Sequence, residues 1–403
     1  MLYLYLITAL ILGILAGIFT GLIPGIHTNL IAVMLLSLTT LTLFSSIEPI
    51  VLAIFLVAMS ITHTFVDYIP SVYLGAPDED NFLSILPGHN MLLKKQAHNA
   101  VVYTLYGSIS AIIIILLLSP LFLLFLNPTF PYIQTIIPHI LVIASIALIY
   151  FEKNSKKWAI IIFLLAGFLG IASMNLPTRQ PLLPLFTGLF GISSLITSIA
   201  KKQKIPKQRI SKLKNIKIKK KSFFKTMFAS MLASPLVAFL PGLGTGQAAV
   251  IGSEVTGDLN QKEFLILLGA INTIVMGLSF ITLYTVGKAR TGTSLAIQQL
   301  LTLSFIHLFY ILATITIAGI FSFFITIKLS KIFAKNIHKY NYKKLSYIII
   351  ILLTLLTLYF SGIYGLLILI TSTFLGLTTI LLNIRRTHLM GALILPTILY
   401  YIF

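Results

Sequence analysis

The chain is poor in acid and has no thiol. Of 403 residues only nine are Asp or Glu, none is Cys and one is Trp. Without Cys there are no disulfides, no thiolate metal site and no cysteine nucleophile, and redox chemistry says nothing about compartment. No H-E-x-x-H or other metal-ligand spacing occurs, so no metal site is expected. Neither G-x-S-x-G nor a Walker A pattern is present. A chain of this kind hydrolyses no ATP, and any work it does draws on an ion gradient, a substrate gradient or another subunit. No cofactor is expected beyond a coupling ion, H+ or Na+.

What fills the chain is apolar. Hydrophobic residues make up 58%, charged residues of both signs 9%, and mean hydropathy is +1.01. Stretches of about 18 or more apolar residues without a charge recur, which reads as repeated membrane spans in one polytopic unit. Residues 1–22 lack a basic n-region and a small-residue cleavage site, so they read as mature structure. The formal charge of +20 could point to nucleic acid, but its distribution argues otherwise. Residues 201–225 carry eleven Lys and Arg209 with no acid, and 328–344 carry six more Lys. Both fall between spans, where cytoplasmic retention and anionic headgroups account for them. No nucleic-acid partner is expected.

Ten spans are expected, near 47–69, 100–126, 133–150, 157–175, 181–200, 263–286, 301–327, 345–360, 362–382 and 388–403. Regions 1–45 and 223–260 differ: each is an apolar arm, a Pro-Gly break and a second arm. The second arm of the later region is too short and polar to cross about 30 Å of hydrocarbon, so both regions read as re-entrant helical hairpins. Placing 201–225 in the cytoplasm puts 151–157, 71–99, 328–344 and Arg385-Arg386 on the same side. Both termini then lie outside the cell membrane. The first hairpin enters from outside and the second from inside, each followed by five spans. The fold class is an all-α polytopic membrane protein, an inverted-repeat transporter. The first repeat covers 1–200, a basic cytoplasmic linker 201–222, and the second repeat 223–403.

The breaks carry the chemistry. One is Pro24-Gly25-Ile26-His27-Thr28-Asn29 and the other Pro241-Gly242-Leu243-Gly244-Thr245-Gly246-Gln247. Backbone freed inside a membrane survives only where it faces protein, water or ligand. Paired breaks at matching places mark a transporter's central site. Glycines let the backbone approach a ligand, and helices starting after the breaks offer amides and positive dipole ends to an anion. His27, Thr28, Asn29, Thr245 and Gln247 add side-chain donors and acceptors. The bland reading is that Pro-Gly only kinks two packed helices.

Four of the nine acids fall together: Asp67, Asp78, Glu79 and Asp80. Asp67 closes Thr62-His63-Thr64-Phe65-Val66-Asp67. A carboxylate at a span end, or in a loop folded back into the bundle, is a coupling candidate for H+ or Na+, with His63 beside it. The alternative for Asp78–Asp80 is a solvated loop capping helix ends. The matching part of the second half holds Asn272 in a span, then Lys288 and Arg290 on the outer side. These two cations run against the positive-inside bias, and attraction of an anionic substrate would explain them. They also fit a bland exposed loop. Arg179 reads as an ordinary outer cation, and His139, His307, His338 and His388 as structural or interfacial.

With these elements placed, the chain resembles the large membrane subunit of the tripartite tricarboxylate transporters, the TctA-type permease family. The residues that carry the likeness are Gly17 to Asn29, Tyr73 to Asp80 and Phe239 to Glu254, closest to a shorter branch found in archaea. The resemblance implies a secondary permease for carboxylates, with Pro24–Asn29 and Pro241–Gln247 as the family's two Pro-Gly loops. It also implies a small membrane subunit and an extracytoplasmic binding protein as partners. Membrane lipids and a second copy, as a homodimer, complete the expected partners. This chain is shorter than the typical permease and carries His27 and the Asp78–Asp80 run. Two functions compete on the same fold: ion-coupled transport of a small organic anion by alternating access, and flipping of a lipid-linked phosphate. No catalytic spacing supports a membrane enzyme built on His27, His63 and Asp67, so the chain is not expected to be an enzyme.

Overall fold

The computed structural model describes residues 2–23, 28–39, 47–76, 82–150, 152, 154–178, 180–200, 205–238, 245–257, 259–339 and 342–402. Pro24, Gly25, His27, Asp78, Glu79, Asp80, Arg179, Pro241, Gly242 and Gly244 lie outside the described residues, and of Gln247 only the backbone is described.

Every regular element among the described residues is helical. In chain order these are α1 (Leu2–Leu22), α2 (Thr28–Thr39), α3 (Pro49–Val66), α4 (Tyr68–Leu74), α5 (Ile85–Leu93), α6 (Ala97–Tyr150), α7 (Lys156–Asn175) and α8 (Leu182–Ala200). The second half continues with α9 (Lys220–Ala238), α10 (Thr245–Thr256), α11 (Gln261–Val286), α12 (Gly292–Leu300), α13 (Phe305–Asn336), α14 (Tyr342–Leu381) and α15 (Gly391–Ile402). Eight stretches are long and apolar enough to cross a bilayer: α1, α3 with α4, the first 36 residues of α6, α7, α8, α11, α13 and α14. The protein is an all-α polytopic membrane protein.

The helices differ from the ten expected spans in three places. Residues 100–126 and 133–150 are two arms of one helical stretch, Ala97–Tyr150, with Pro120, Pro128, Pro131 and Pro138 inside it and no separate loop between them. The stretch doubles back between its ends, since Lys288 at the far end of α11 sits over Phe130, whereas the Leu148 carbonyl meets Arg385, which shares a cavity with Gln261 at the start of α11. Residues 345–360 and 362–382 are two helical arms that meet at Gly362, whose φ of 64° and ψ of −159° suit only glycine. Residues 388–403 become a 3₁₀ turn, Arg386–Met390, followed by the 12-residue α15, which at 1.5 Å per residue is about 18 Å long. α1 is itself a candidate span by length and composition. Residues 71–99 and 287–304 are more than connecting loops, because α4, α5 and α12 lie within them with buried faces.

Two helices form the centre. Over their most apolar windows α3–α4 is 89% buried and α11 94%, against 22% for α1 and 28% for α6. Each central helix is 26 residues long and ends at a left-handed glycine, Gly75 (φ 67°) or Gly287 (φ 68°). The order of elements around them is the same in both halves: arm, break, short arm, central helix, glycine, short helix, long helix. Asn260 and Glu263 close a capping box at the start of α11, which satisfies two of its orphan amides.

Small residues set the packing. Gly13, Gly17 and Gly21 form one stripe on α1, and a Cβ at Gly13 or Gly17 would come within 2.5 Å of a carbonyl of α3. Gly269 of α11 meets the Thr104 carbonyl of α6 at 2.1 Å in the same sense. Lipid tails are as apolar as Leu, so such close contact is what holds membrane helices together. The basic segment before α9 is docked. Gln208 Nε2 donates to the Leu92 carbonyl at 3.0 Å, its Oε1 accepts from Ala97 N at 3.1 Å, and Arg209 N donates to the Lys95 carbonyl at 3.0 Å.

Candidate functional site

Asp67 is buried inside the α3–α4 span, in the turn between the two helices, and is 1% exposed. The span was expected to stop near residue 69; it runs on to Leu74, so the carboxylate sits deeper than its sequence position suggests. Asn272, also 1% exposed and on α11, donates from Nδ2 to Asp67 Oδ2 at 3.0 Å. Thr64 and Thr273 hydroxyls lie 3.2 Å apart beside them. His63, one turn before Asp67, has Nδ1 3.0 Å from Thr20 Oγ1 of α1. The two central helices are thus joined by a buried polar seam in the middle of an apolar core.

The residues that follow the first break rest on the second half. α2 packs on α3 and on α12 of the second half. A Cβ at Gly292, the first residue of α12, would fall 2.7 Å from Cγ of Asn29, so the Asn29 side chain lies against that helix start. Thr28 is fully buried. The turn leading to Gly292 holds Lys288 and Arg290. Arg290 N donates to Ser294 Oγ at 3.0 Å, and Lys288 Nζ sits 4.9 Å above the Phe130 ring. Thr291 and Ser294 cap α12 reciprocally.

The residues after the second break rest partly on the first half. α10 packs on α9, α11 and α6. A Cβ at Gly246 would meet the Phe82 ring and the Met390 methyl, each at 2.7 Å. Phe82 stands just before α5 of the first half and stacks on Phe186 of α8 at 4.5 Å. Thr245 is 3% exposed. The structure therefore brings together Asp67 with Asn272, Asn29 with the Lys288–Arg290 turn, and Gly246 with the first-half segment that follows Asp78–Asp80. Thr28–Asn29 and Thr245–Gln247 are supported by different sets of helices.

Sequence reasoning missed several interior groups. Thr62 accepts from Ser322 Oγ of α13 at 2.9 Å. His98 Nδ1 and Tyr73 Oη both approach Ser330 Oγ, at 3.0 and 3.1 Å. Hydroxyls in otherwise apolar runs were the signal available. Glu152 is buried and accepts from Arg385 Nε at 3.1 Å and from His388 Nε2 at 2.7 Å. Burial alone would raise the Glu152 carboxyl; the Asn154 amide, His388 and Arg385 outweigh it and hold it at about 2. Burial keeps His388 below the ordinary imidazole range. The structural reading of His388 thereby gains a partner, Glu152, at the junction of α6, α7 and the turn before α15. His139 bonds within its own helix and His307 belongs to the cap of α13. Among the described residues no group of three His, Cys, Asp or Glu side chains could hold a metal ion.

A polytopic bundle whose buried polar groups gather at its central helices and helix breaks has the organisation of a membrane transporter. Residues 7–391 match the Tripartite tricarboxylate transporter TctA family, and the chain belongs to that family. The family is the large permease component of a tripartite system, which typically works with a binding protein and a small subunit. An uncharacterized protein of Methanocaldococcus jannaschii is 31% identical over 361 residues, covering 86% of this chain and 88% of that protein. No solved structure matches the chain.

Proposed function

We propose that the protein is a secondary-active permease that moves a small organic anion of the di- or tricarboxylate type by alternating access, coupled to H+ or Na+. The observation that carries this reading is the exchange of supports between halves: Asn29 lies against Gly292, and Gly246 against Phe82. Repeats that hold each other's breaks can rock against one another around a fixed centre. Helix starts at Thr28 and Thr245 would present amides to a carboxylate, with Pro24, Gly25 and His27, and Pro241, Gly242 and Gly244, leading into them. Asp67, donated to by Asn272, is the leading group for the coupling ion. His63 and the acids Asp78, Glu79 and Asp80 stand behind it. Lys288 and Arg290 would draw the anion in from outside. In this reading 1–200 and 223–403 are inverted repeats, each opening with a re-entrant hairpin, and 201–222 is their cytoplasmic linker. Partner subunits would be a small membrane protein and an extracytoplasmic binding protein, with a homodimer as the assembly.

The test is uptake of labelled citrate and succinate into proteoliposomes holding the purified chain, alone and with the two partner types. Gly244→Leu and Gly292→Val should abolish uptake while the protein still inserts and elutes as one species. Full uptake by both variants would count against the site. Scrambling of labelled lipid phosphate without acid uptake would transfer the function to the lipid carrier.

A further inference from the structure

A cavity of about 250 Å³ opens where the second half's central helix begins. Phe82, Phe190 and Phe264 are among its apolar lining, and Arg386 and Thr387 line it together with the polar side chains of Asn90, Gln261 and Arg385. It adjoins the second break, because Phe82 is the ring that touches Gly246. The basic loops mark this side as cytoplasmic.

Arg386 is 8% exposed and firmly held. Its Nη1 donates to Ser194 Oγ, and Nη2 donates to the Leu189 and Phe190 carbonyls at 2.6 and 2.8 Å and to Ser193 Oγ at 2.9 Å. These acceptors lie on or beside the π-helical turn Thr187–Ile192 of α8. The guanidinium lies 5.2 Å above the Phe190 ring. Its neighbour Arg385 has a carboxylate partner in Glu152; among the described residues Arg386 bonds only carbonyls and hydroxyls. Among the described residues, Arg386 Nε and Thr387 Oγ1 are buried without a hydrogen-bond partner, and none of those lining the cavity is a carboxylate. Burial draws the guanidinium down only to about 10, so it is cationic at neutral pH. A buried cation with no counter-ion and a spare donor is costly unless an anion completes it.

We propose that this cavity is a second anion site, a cytoplasmic station next to the second break. It would take an anionic carboxylate or phosphate group carried on an apolar body, one oxygen on the Arg386 Nε–H and another on the Thr387 hydroxyl. The transported acid is one source of that chemistry and an anionic lipid headgroup the other. The assignment of the transported acid rests on the permease reading; the site itself does not.

Binding is measured without transport, on the full chain in detergent after lipid removal. Isothermal titration uses citrate, inorganic phosphate and a short-chain phosphatidylglycerol as probes. Thr387→Val removes the hydroxyl at nearly constant shape, and Arg386→Lys keeps the charge but loses Nε. Thr387→Val is expected to weaken binding of the preferred probe five- to twentyfold, and Arg386→Lys by more, with thermal stability of the ligand-free Thr387→Val protein unchanged. Preference for citrate identifies the transported acid; preference for the lipid identifies a headgroup site. Unchanged affinity for all three probes in Thr387→Val overturns the proposal, even where uptake is intact. Lost binding in a protein that shows no uptake leaves the site standing and removes the permease reading.

Discussion

Asn272 donates its amide proton to the Asp67 carboxylate at 3.0 Å across 205 residues of sequence, with both side chains 1% exposed. The bond ties the central helix of one half to that of the other. A buried acid is tolerated only with such donors, and hydrogen bonds to charged groups contribute about 1.5–3 kcal/mol. Asn272→Leu should therefore cost about 1–3 kcal/mol of stability, seen as a lower melting temperature in detergent, and should depress uptake. Asp67→Asn keeps the shape and removes the ionisable carboxyl. Its uptake should no longer respond to an imposed H+ or Na+ gradient; a gradient response equal to wild type would take Asp67 out of coupling.

Gly269 and Gly107 mark where α11 and α6 cross with almost no space. A Cβ at Gly107 would meet the Ile266 carbonyl at 2.1 Å, and one at Gly269 the Thr104 carbonyl at the same distance. Ser108 Oγ donates to the Gly269 carbonyl at 3.0 Å, fixing the register. Backbone cannot retreat as a flexible side chain can, so Gly269→Val should destabilise by about 1–3 kcal/mol or more. Thermal unfolding reads it. A Gly246→Ala change meets only a ring edge and a methyl and should cost less.

Much of this was legible in the chain. The all-α polytopic class was legible in the recurring uncharged apolar runs, and Asp67 and Asn272 each stood out as polar groups at or inside a span. Helix boundaries were harder: the two arms of α6 are joined through a proline-bearing helical stretch without a separate loop. Pairing of Asp67 with Asn272 could not be read, since nothing local couples residues 205 apart. Arg386 sat in a basic pair assigned to a loop; its burial depends on carbonyls offered by a π-helical turn that has no composition signal. Most of the break residues themselves lie outside the described residues, so their arrangement stands as a proposal.

The absence of Cys makes membrane orientation directly measurable. Single cysteines at Lys214, in the segment before α9, and at Thr302, between α12 and α13, are both at exposed positions. The charge rule places the first in the cytoplasm and the second outside. A membrane-impermeant thiol reagent on intact cells should label Thr302→Cys and reach Lys214→Cys only after permeabilisation. The opposite pattern would invert the whole molecule, and equal labelling of both would break the count of spans between them.

Glu152 fastens the loop after α6 to the turn before α15 through Arg385 and His388. Its folded-state carboxyl titrates at about 2 against an ordinary 4.5. A depressed carboxyl stabilises the fold at every pH above the ordinary value, and that contribution is lost as pH falls from about 4.5 towards 2. Glu152→Gln removes the charge and should lower stability at neutral pH by about 1–3 kcal/mol. The sign sets the test: the gap in melting temperature between wild type and Glu152→Gln should be constant from pH 7 to about 5 and then shrink in more acid buffer. A gap that widens in acid would mean that the carboxylate is not held ionised by Arg385 and His388.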